Sequence, residues 1–480
     1  MRTMLGGPVG AGAASTAIKP GRQAAKNRIH VVMAKVFPVR PGLASRGQAC
    51  GPHTVDVTPV SQKMGRHWPT GDNTLNIRAG MTTDSVARAR GAAFVAFMGG
   101  RIRQLTRGSL SVLATLLVVT GFGCGAEKPP PTPTAGDPAL IALLEPIHRE
   151  HDLPALAAAL VSSAGLQVQA AVGVRKRGDK TPASTNDLWH IGSNTKAMTA
   201  TLAGRLVERG LLRWDTRVAE VFPDLAGDFH PDFQPLTLRH LLSHRASVAA
   251  NLDWGRLART GTVSEQRLTA LRQGLAARPV HPPGSRCLYS NLGYVMAGAV
   301  VERVTGRTWE ELMRTEVFEP LGMTRAGFGG VGTPGELDQP WGHRKGGRPA
   351  PANGPEADNP PVLGPAGTVH CPLADWARFV ADHLRGLRGQ PGLLQPATYR
   401  ELATAVGDGE YGLGWVVTRR DWAGGPALNH CGCNTLFFAN VWLAPERDFA
   451  VLVVANQGLD AFEATDAAVA AVVRAREAKR

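Results

Sequence analysis

Residues 427–457 have the sequence ALNHCGCNTLFFANVWLAPERDFAVLVVANQ. Three runs within it, ALNH, TLFFANVWL and FAVLVVANQ, are rich in the apolar, β-branched and aromatic residues that favour strands. The segments CGCN and APERD carry turn-forming residues and separate these runs. The stretch therefore predicts three neighbouring strands, followed by a last helix over residues 459–477.

The start of the same region supplies matching elements. Residues 138–151, PALIALLEPIHREH, are apolar at helical spacing, and residues 154–179 indicate two short strands around a Ser-Ala-Gly turn. Between them and the C-terminal strands, the chain is mostly helical to about residue 325, and residues 330–365 are Gly- and Pro-rich, which predicts a long surface loop. The fold class expected is α+β and sandwich-like. One antiparallel sheet is built from both ends of the domain and flanked by helices, with a helical region inserted.

The charge of the chain is concentrated at its beginning. The 480 residues carry a net charge of +14, and residues 1–123 contain 16 of the 53 Lys and Arg residues but 3 of the 39 Asp and Glu residues. This leaves 37 basic and 36 acidic residues in 124–480. The globular region lacks the basic surplus of a nucleic-acid-binding protein, so we expect no nucleic-acid partner.

The N-terminal region has the features of an export leader. Residues 1–97 are rich in Gly, Ala and Arg without a helical or strand period, and we expect a disordered extension, with the hypothesis that it is an over-long gene start. Residues 98–123 combine three arginines with an apolar run of 13 residues (110–122), which is typical of a signal peptide; a short buried helix is the alternative. The segment GFGC resembles the lipobox of bacterial lipoproteins, which predicts lipidation at Cys124, with a Pro/Thr-rich tether over 124–137.

Cysteine usage suggests neither a metal site nor a defined disulfide pattern. Four of the six cysteines lie in the predicted domain over 138–480, where export would permit disulfides, but their spacing assigns no pairing. Cys-Gly-Cys (431–433) lacks the second pair of ligands that a zinc site needs. We expect no metal and no organic cofactor.

Ser193 and Lys196 lie three residues apart at the head of an Ala/Leu-rich run that predicts a helix over 193–209, closed by Gly210. On a helix, positions i and i+3 share a face, so the lysine amine can approach the serine hydroxyl. A serine is a poor nucleophile until a base takes its proton, and a lysine can do so only when its pKa is lowered. The alternative is a helix-capping serine followed by a solvated lysine.

Two further short motifs carry polar chemistry. In Tyr-Ser-Asn (289–291), the phenol of Tyr289 can transfer protons, and the amide of Asn291 can orient Lys196 or hold a substrate carbonyl. In His-Cys-Gly (430–432), Gly432 beside a strand edge would let a substrate backbone approach closely. Taken alone, a half-buried tyrosine at a helix start with Asn291 in a turn, and cysteines that are buried hydrophobes or disulfide partners, explain these residues better.

The order and spacing of the three motifs resemble the signature elements of the serine β-lactamase and penicillin-binding protein superfamily, above all its class C β-lactamases, D-alanyl-D-alanine carboxypeptidases and related esterases. The motifs are separated by 96 and 141 residues. Supporting segments are LTLRHLLSHRAS (236–247), VFEPLGMTRAGF (317–328), PAGTVHCPLADWARF (365–379) and YGLGW (411–415), the last expected as a strand near the site. The resemblance covers residues 138–475 and implies the β-lactamase/transpeptidase fold.

The resemblance also implies roles for individual residues. Ser193 is the nucleophile that forms an acyl-enzyme, and Lys196 and Tyr289 together accept and return its proton, with the base of the pair left open. Asn291 positions substrate and Lys196, while His430 and Gly432 lie beside the substrate. The backbone N–H groups of Ser193 and Cys433 form the oxyanion hole.

The sequence departs from the family pattern at Cys431, which replaces a threonine that helps bind a substrate carboxylate. A thiol is a weak donor, and His430 is largely neutral near pH 7 unless its pKa is raised. Both features argue against efficient β-lactam hydrolysis.

The expected function is a serine hydrolase that acts on an ester or amide: a short acyl ester, a D-amino-acid peptide derived from peptidoglycan, or a β-lactam. The alternative is an inactive protein that recognises peptidoglycan or penicillin. We expect an exported bacterial lipoprotein of the periplasm or cell envelope, in contact with the membrane through its N-terminal lipid only.

Overall fold

The computed structural model of this protein describes residues 136–479. The predictions for the extension over 1–97, the signal peptide over 98–123, the lipidated Cys124 and nearly all of the tether over 124–137 lie outside the described residues.

The described chain alternates short strands with helices, and its two longest runs of strand lie near its ends. The α-helices, in chain order, are α1 (Pro138–Glu150), α2 (Thr195–Glu208), α3 (Val218–Val221), α4 (Leu238–Leu242), α5 (Trp254–Leu257), α6 (Val263–Ala276), α7 (Asn291–Thr305), α8 (Trp309–Met313), α9 (Glu319–Leu321), α10 (Gly364–Gly367), α11 (Leu373–Leu387), α12 (Pro396–Leu402) and α13 (Phe462–Glu477). The strands are β1 (Ala155–Ser162), β2 (Gly165–Gly173), β3 (Trp189–His190), β4 (Gly327–Phe328), β5 (His343–Arg344), β6 (Arg348–Pro349), β7 (Val369–Cys371), β8 (Val416–Arg420), β9 (Gly425–Cys433), β10 (Phe438–Ala444) and β11 (Phe449–Ala455).

A six-stranded antiparallel sheet forms the centre of the molecule, in the order β2-β1-β11-β10-β9-β8. The first strand pairs with the last, with Leu156 opposite Ala455 and Val161 opposite Ala450. Both ends of the chain therefore complete one sheet, and the mostly helical region is inserted between them. The predicted α+β class is confirmed. A smaller sheet, β3-β7-β4, lies in the inserted region beside the start of α2.

Strand β11 is apolar along its whole length, and β1 up to its last residue, because both faces of the sheet are covered. On β1, Ala157 and Ala159 belong to a core shared with α11, while Leu156 and Ala158 belong to a second core shared with α1 and α13. Successive strand residues point to opposite faces, so a strand between two helical layers needs apolar side chains at every position.

Three predictions about the C-terminal half are wrong in detail. Cys431–Cys433 are the last residues of β9, and the turn comes at 434–437, where the Asn434 side chain accepts hydrogen bonds from the next residues. The segment 411–415 is a bend that leads into β8 rather than a strand. Residues 330–365 contain the β5–β6 hairpin and buried side chains such as Val362, so this segment is not simply a surface loop.

Over residues 136–479, every helix is too short or too polar to cross a membrane.

Thr435, in the turn between β9 and β10, has a backbone φ of +77° and an exposed side chain. A β-branched residue is strained in this region, which glycine adopts freely. We expect Thr435→Gly to raise the free energy of unfolding by about 1 kcal/mol, measured by denaturant or thermal unfolding.

The matched control is Thr418→Gly in the extended strand β8, where the same change removes a strand-forming side chain and should lower stability. A Thr435→Gly protein that loses as much stability as the Thr418→Gly protein would contradict the prediction.

Candidate active site

Ser193 lies in a single 3₁₀ turn, Gly192–Asn194, between β3 and α2. The helix starts at Thr195 rather than at Ser193. The N-cap position is Asn194, which makes no side-chain cap, and the Ser193 hydroxyl is hydrogen-bonded to Lys196. The capping alternative is therefore wrong. The Thr195 hydroxyl accepts from the Val369 N–H at 3.1 Å and fastens this turn to β7.

Lys196 is completely buried on the first turn of α2. Its Nζ lies 3.0 Å from the Ser193 Oγ, 2.8 Å from the Asn291 Oδ1 and 2.7 Å from the carbonyl oxygen of Ala366. Burial lowers the pKa of the Lys196 amine well below its usual value. The alternative of a solvated surface lysine is wrong, and a neutral amine in contact with the hydroxyl is able to take its proton.

Asn291 begins α7, whose N-terminus is capped by the preceding Ser290 hydroxyl through the Gly293 N–H at 3.0 Å. The Asn291 Oδ1 accepts from Lys196, and its Nδ2 donates to the Asn251 Oδ1 at 2.9 Å. Asn251 thus fixes which way the Asn291 amide points. Asn251 was not predicted as a site residue, because the residues around it form no motif that would relate it to Tyr-Ser-Asn (289–291).

Tyr289 contacts both Ser193 and Lys196. Its ring centroid lies 4.8 Å from the Lys196 Nζ, and its hydroxyl hydrogen-bonds with Ser193. Burial raises the pKa of the Tyr289 phenol above its usual value, against a smaller opposing effect of the Ser193 hydrogen bond. Desolvation thus favours the neutral form of both groups, and a neutral amine is a base whereas a neutral phenol is a proton donor.

The Tyr289 ring packs against a cluster of aromatic side chains. The buried His244 ring lies 4.2 Å from the Tyr289 ring, 4.5 Å from the Tyr411 ring and 5.2 Å from the Tyr294 ring, measured between centroids. The His244 Nδ1 accepts from the Ser290 N–H at 3.1 Å, and burial lowers the pKa of this imidazole well below its usual value. The segment 236–247 was among those that resemble the family, but the sequence did not predict that its His244 packs a neutral ring against Tyr289.

His430 is buried on β9 and makes hydrogen bonds through both ring nitrogens. Its Nδ1 donates to the Cys431 carbonyl at 2.7 Å, and its Nε2 accepts from the Tyr411 hydroxyl at 3.0 Å. Burial and the nearby Lys196 lower the pKa of His430 to about 3. The imidazole is therefore neutral at physiological pH and supplies no positive charge to an anionic substrate.

Gly432 and Gly192 allow two backbone segments to touch. A Cβ on Gly432 would lie 2.0 Å from the Ile191 carbonyl oxygen and 2.7 Å from the Ser193 nitrogen, and a Cβ on Gly192 would lie 2.4 Å from the Cys433 nitrogen. The prediction that Gly432 admits a substrate backbone needs correction, because the close neighbour is the protein's own nucleophile turn. This contact places the Ser193 and Cys433 amides on adjoining segments.

The thiols of this region are protonated and unpaired. Cys287, Cys371, Cys431 and Cys433 are free cysteines. Burial raises the pKa of both Cys431 and Cys433 to about 12, so neither is a thiolate nucleophile. Among the described residues, no group of three His, Cys, Asp or Glu side chains is arranged to hold a metal ion.

A recess beside Ser193 is the space where a substrate can meet the hydroxyl. It is lined by uncharged residues, namely Ser193, Asn291, Asn359, Leu363, Ala366, Gly367 and Cys433. Four of them, Asn359, Leu363, Ala366 and Gly367, were not foreseen as site residues, and the first two come from the segment predicted as a surface loop.

Comparisons with known proteins agree with this arrangement. Residues 140–475 match the Beta-lactamase family. Penicillin-binding protein 4 of Amycolatopsis lactamdurans is 29% identical over 342 residues, which cover 65% of this chain and 83% of the relative. Lovastatin esterase of Penicillium rubens is 30% identical over 168 residues, covering 32% of this chain and 42% of the esterase. The octameric penicillin-binding protein homologue from Pyrococcus abyssi shares the fold, with a TM-score of 0.59, 22% identity, and coverage of 71% of this chain and 77% of that one.

Removing the Lys196 amine should slow acylation of Ser193, because a positioned base contributes roughly 10²–10⁴-fold to such a step. We expect Lys196→Ala and Lys196→Met to lower the rate constant of fluorophosphonate labelling by this factor, and Tyr289→Phe to lower ester turnover. The control is Lys180→Ala, which removes an exposed lysine and should leave labelling unchanged. Wild-type rates in a Lys196 variant would remove this residue from the mechanism.

The pH dependence tests the lowered pKa of Lys196 directly. Only the neutral amine accepts a proton, so the labelling rate should rise with pH through the lowered pKa and then reach a plateau well below pH 10. Stopped-flow or gel-based labelling between pH 5 and 10.5 measures this profile. A rate that keeps rising to the end of that range would mean that Lys196 titrates as an ordinary lysine.

Proposed function

Because this chain belongs to the Beta-lactamase family, we propose that it is a serine hydrolase that cleaves uncharged carboxylic esters through an acyl-enzyme on Ser193. The observation that carries the proposal is the buried Lys196 amine, 3.0 Å from the Ser193 hydroxyl and with its pKa lowered by burial. A relative named as an esterase and another named as a penicillin-binding protein support acyl transfer to a serine.

In the proposed first step, the Ser193 Oγ attacks the ester carbonyl carbon while its proton passes to the Lys196 Nζ. The carbonyl oxygen becomes an oxyanion and takes hydrogen bonds from the Ser193 and Cys433 N–H groups. When the tetrahedral intermediate collapses, the C–O bond to the alcohol breaks. The alcohol oxygen receives a proton from the Tyr289 hydroxyl, which regains one from the Lys196 ammonium.

In the proposed second step, water replaces the departed alcohol. Lys196, neutral again, accepts a proton from this water as the water oxygen attacks the acyl carbon. The second tetrahedral intermediate then breaks its bond to the Ser193 Oγ, which takes a proton from the Lys196 ammonium and leaves the amine neutral. The products are a carboxylic acid and the free enzyme, so no external co-reactant is consumed.

The preference for uncharged substrates follows from the charges around the recess. His430 is neutral because its pKa is about 3, and the adjacent Cys431 thiol is neutral because its pKa is about 12. The residues that line the recess carry no formal charge. A β-lactam or a peptide ending in a D-amino acid would bring a carboxylate that finds no cation here, and such a group loses roughly 10–100-fold in binding without a charged partner.

A substrate panel tests this proposal. We expect p-nitrophenyl acetate and butyrate to be hydrolysed with a higher kcat/KM than nitrocefin or a D-Ala-D-Ala peptide, by roughly 10-fold or more. Ser193→Ala should abolish turnover of every substrate and labelling by fluorophosphonate. A higher kcat/KM for nitrocefin or the peptide than for the two esters would overturn the ester preference. A wild-type protein that ignores all substrates and both fluorophosphonate and penicillin probes would favour the inactive recognition protein.

We also propose, from residues 98–124, that the hydrolase is exported and anchored through a lipid on Cys124. Expressed in a bacterial host, the wild-type chain should fractionate with membranes, and Cys124→Ser should move it to the soluble fraction. N-terminal sequencing or mass spectrometry of the mature protein measures the cleavage site. A mature chain that begins at Met1 would contradict the proposal.

A further inference from the structure

Asp358 lies at the centre of a buried polar cluster that the proposed mechanism does not use. Its Oδ1 lies 2.8 Å from the His190 Nε2 and accepts a hydrogen bond from the Asn434 Nδ2 at 3.0 Å. The side chains of His190 and Asp358 are 1% and 5% exposed, and Asn434 is also buried. We call His190, Asp358 and Asn434 the Asp358 cluster.

On one side, the cluster holds the backbone that precedes the nucleophile. The His190 Nδ1 accepts a hydrogen bond from the Gly192 N–H at 3.1 Å. An acceptor nitrogen carries no proton, so a ring proton lies on Nε2, 2.8 Å from the Asp358 Oδ1. The contact is a close electrostatic one rather than an aligned hydrogen bond, because the His190 Nε2 has no hydrogen-bond partner among the described residues. It restrains the His190 ring, whose Nδ1 in turn holds the Gly192 N–H of the peptide that leads into Ser193.

On the other side, the cluster holds the backbone that follows the second oxyanion donor. Asn434 comes directly after Cys433, and its side chain bridges two parts of the chain. The Asn434 Nδ2 donates to Asp358, while its Oδ1 accepts from the N–H groups of Leu436 and Phe437 at 3.2 and 2.9 Å. One carboxylate oxygen thus connects the segment before Ser193 with the segment after Cys433.

The neighbouring residue extends this connection to the third wall of the recess. The Asn359 Nδ2 donates to the Gly367 carbonyl at 3.1 Å, and both residues line the recess beside Ser193. A Cβ on Gly367 would lie 3.6 Å from the Ser193 nitrogen. The dipeptide Asp358-Asn359 therefore reaches every backbone segment that surrounds the proposed oxyanion hole.

The cluster is poorly suited to stabilise the fold alone. The Asp358 Oδ2 is buried and has no hydrogen-bond partner among the described residues. A buried carboxylate with an unsatisfied oxygen is unfavourable for folding, and such groups occur where a site needs a fixed geometry. The unsatisfied oxygen therefore points to a role of Asp358 in the site.

We infer that Asp358 is a positioning residue that sets the separation of the Ser193 and Cys433 amides by holding His190 and Asn434. The inference rests on the proposed function, because it assigns these amides to the oxyanion. A displacement of catalytic groups by about 1 Å lowers rates by about 10²-fold. Loss of the carboxylate should therefore act on the tetrahedral intermediate much more than on substrate binding.

The test compares Asp358→Ala with the conservative Asp358→Asn, which keeps an oxygen acceptor for His190 and Asn434. Three quantities are measured: kcat and KM for p-nitrophenyl acetate, the affinity for phenylboronic acid as a tetrahedral adduct of Ser193, and the Tm. We expect Asp358→Ala to lower both kcat and boronate affinity by about 10²-fold with little change in KM, and Asp358→Asn to retain most of both.

The matched control is Asp382→Asn, a buried aspartate that pairs with Tyr399 and Arg385 away from the recess. It should lower the Tm and leave kcat and boronate affinity at wild-type values. Asn434→Ala provides a second variant of the cluster if Asp358→Ala fails to fold, with the same expected losses.

The outcomes separate the two proposals. A wild-type enzyme that is active, with variants of the cluster that lose only Tm, would overturn the positioning role and leave the hydrolase intact. A wild-type protein inert towards ester, fluorophosphonate and boronate would overturn the proposed function and this inference with it.

Discussion

The arrangement of the site depends on the burial of one lysine. An aliphatic amine in the interior is stable only if it is neutral or well supplied with acceptors, and Lys196 has three oxygens within hydrogen-bond distance of its Nζ. Each oxygen comes from a different element: the nucleophile turn, the start of α7 and the carbonyl of Ala366 in α10. The amine thereby ties three parts of the inserted region together, and its partners lie where a reaction at Ser193 needs them.

Much of this arrangement could be predicted from the sequence because it is carried by local patterns. Runs of apolar, β-branched and aromatic residues between turn residues gave the terminal strands, and the spacing of Ser193 and Lys196 placed both on one face of a helix start. The predictions were wrong where one residue type is compatible with two structural roles. Glycine is common in turns, and the sequence predicted a turn at Gly432. The structure places Gly432 in strand β9, where the absence of a side chain permits a close backbone contact. Residues 330–365 are rich in Gly and Pro, which predicted a surface loop, but the segment contains buried side chains such as Val362.

The long-range polar partners were beyond the reach of sequence reasoning for a different reason. Asn251 and Asp358 carry no periodic pattern, and their partners lie 40 and 168 residues away along the chain. A single amide or carboxylate reveals its role only when the fold brings its partner close. The same holds for the surroundings of His430. The sequence predicted a largely neutral imidazole, but it did not reveal that Tyr411 donates to the ring or that burial and the nearby Lys196 lower its pKa to about 3.

The pairing of the first strand with the last has a consequence for the biosynthesis of the chain. Strand β1 is made about 290 residues before β11, and the centre of the sheet cannot close until both have left the ribosome. Contacts of such high sequence separation form slowly, since a long loop must be closed before they yield any stabilisation. During translation, the nascent chain therefore lacks its central sheet and remains accessible to chaperones. A topology that joins both ends of the domain thus delays the closing of its core until synthesis of the domain is nearly complete.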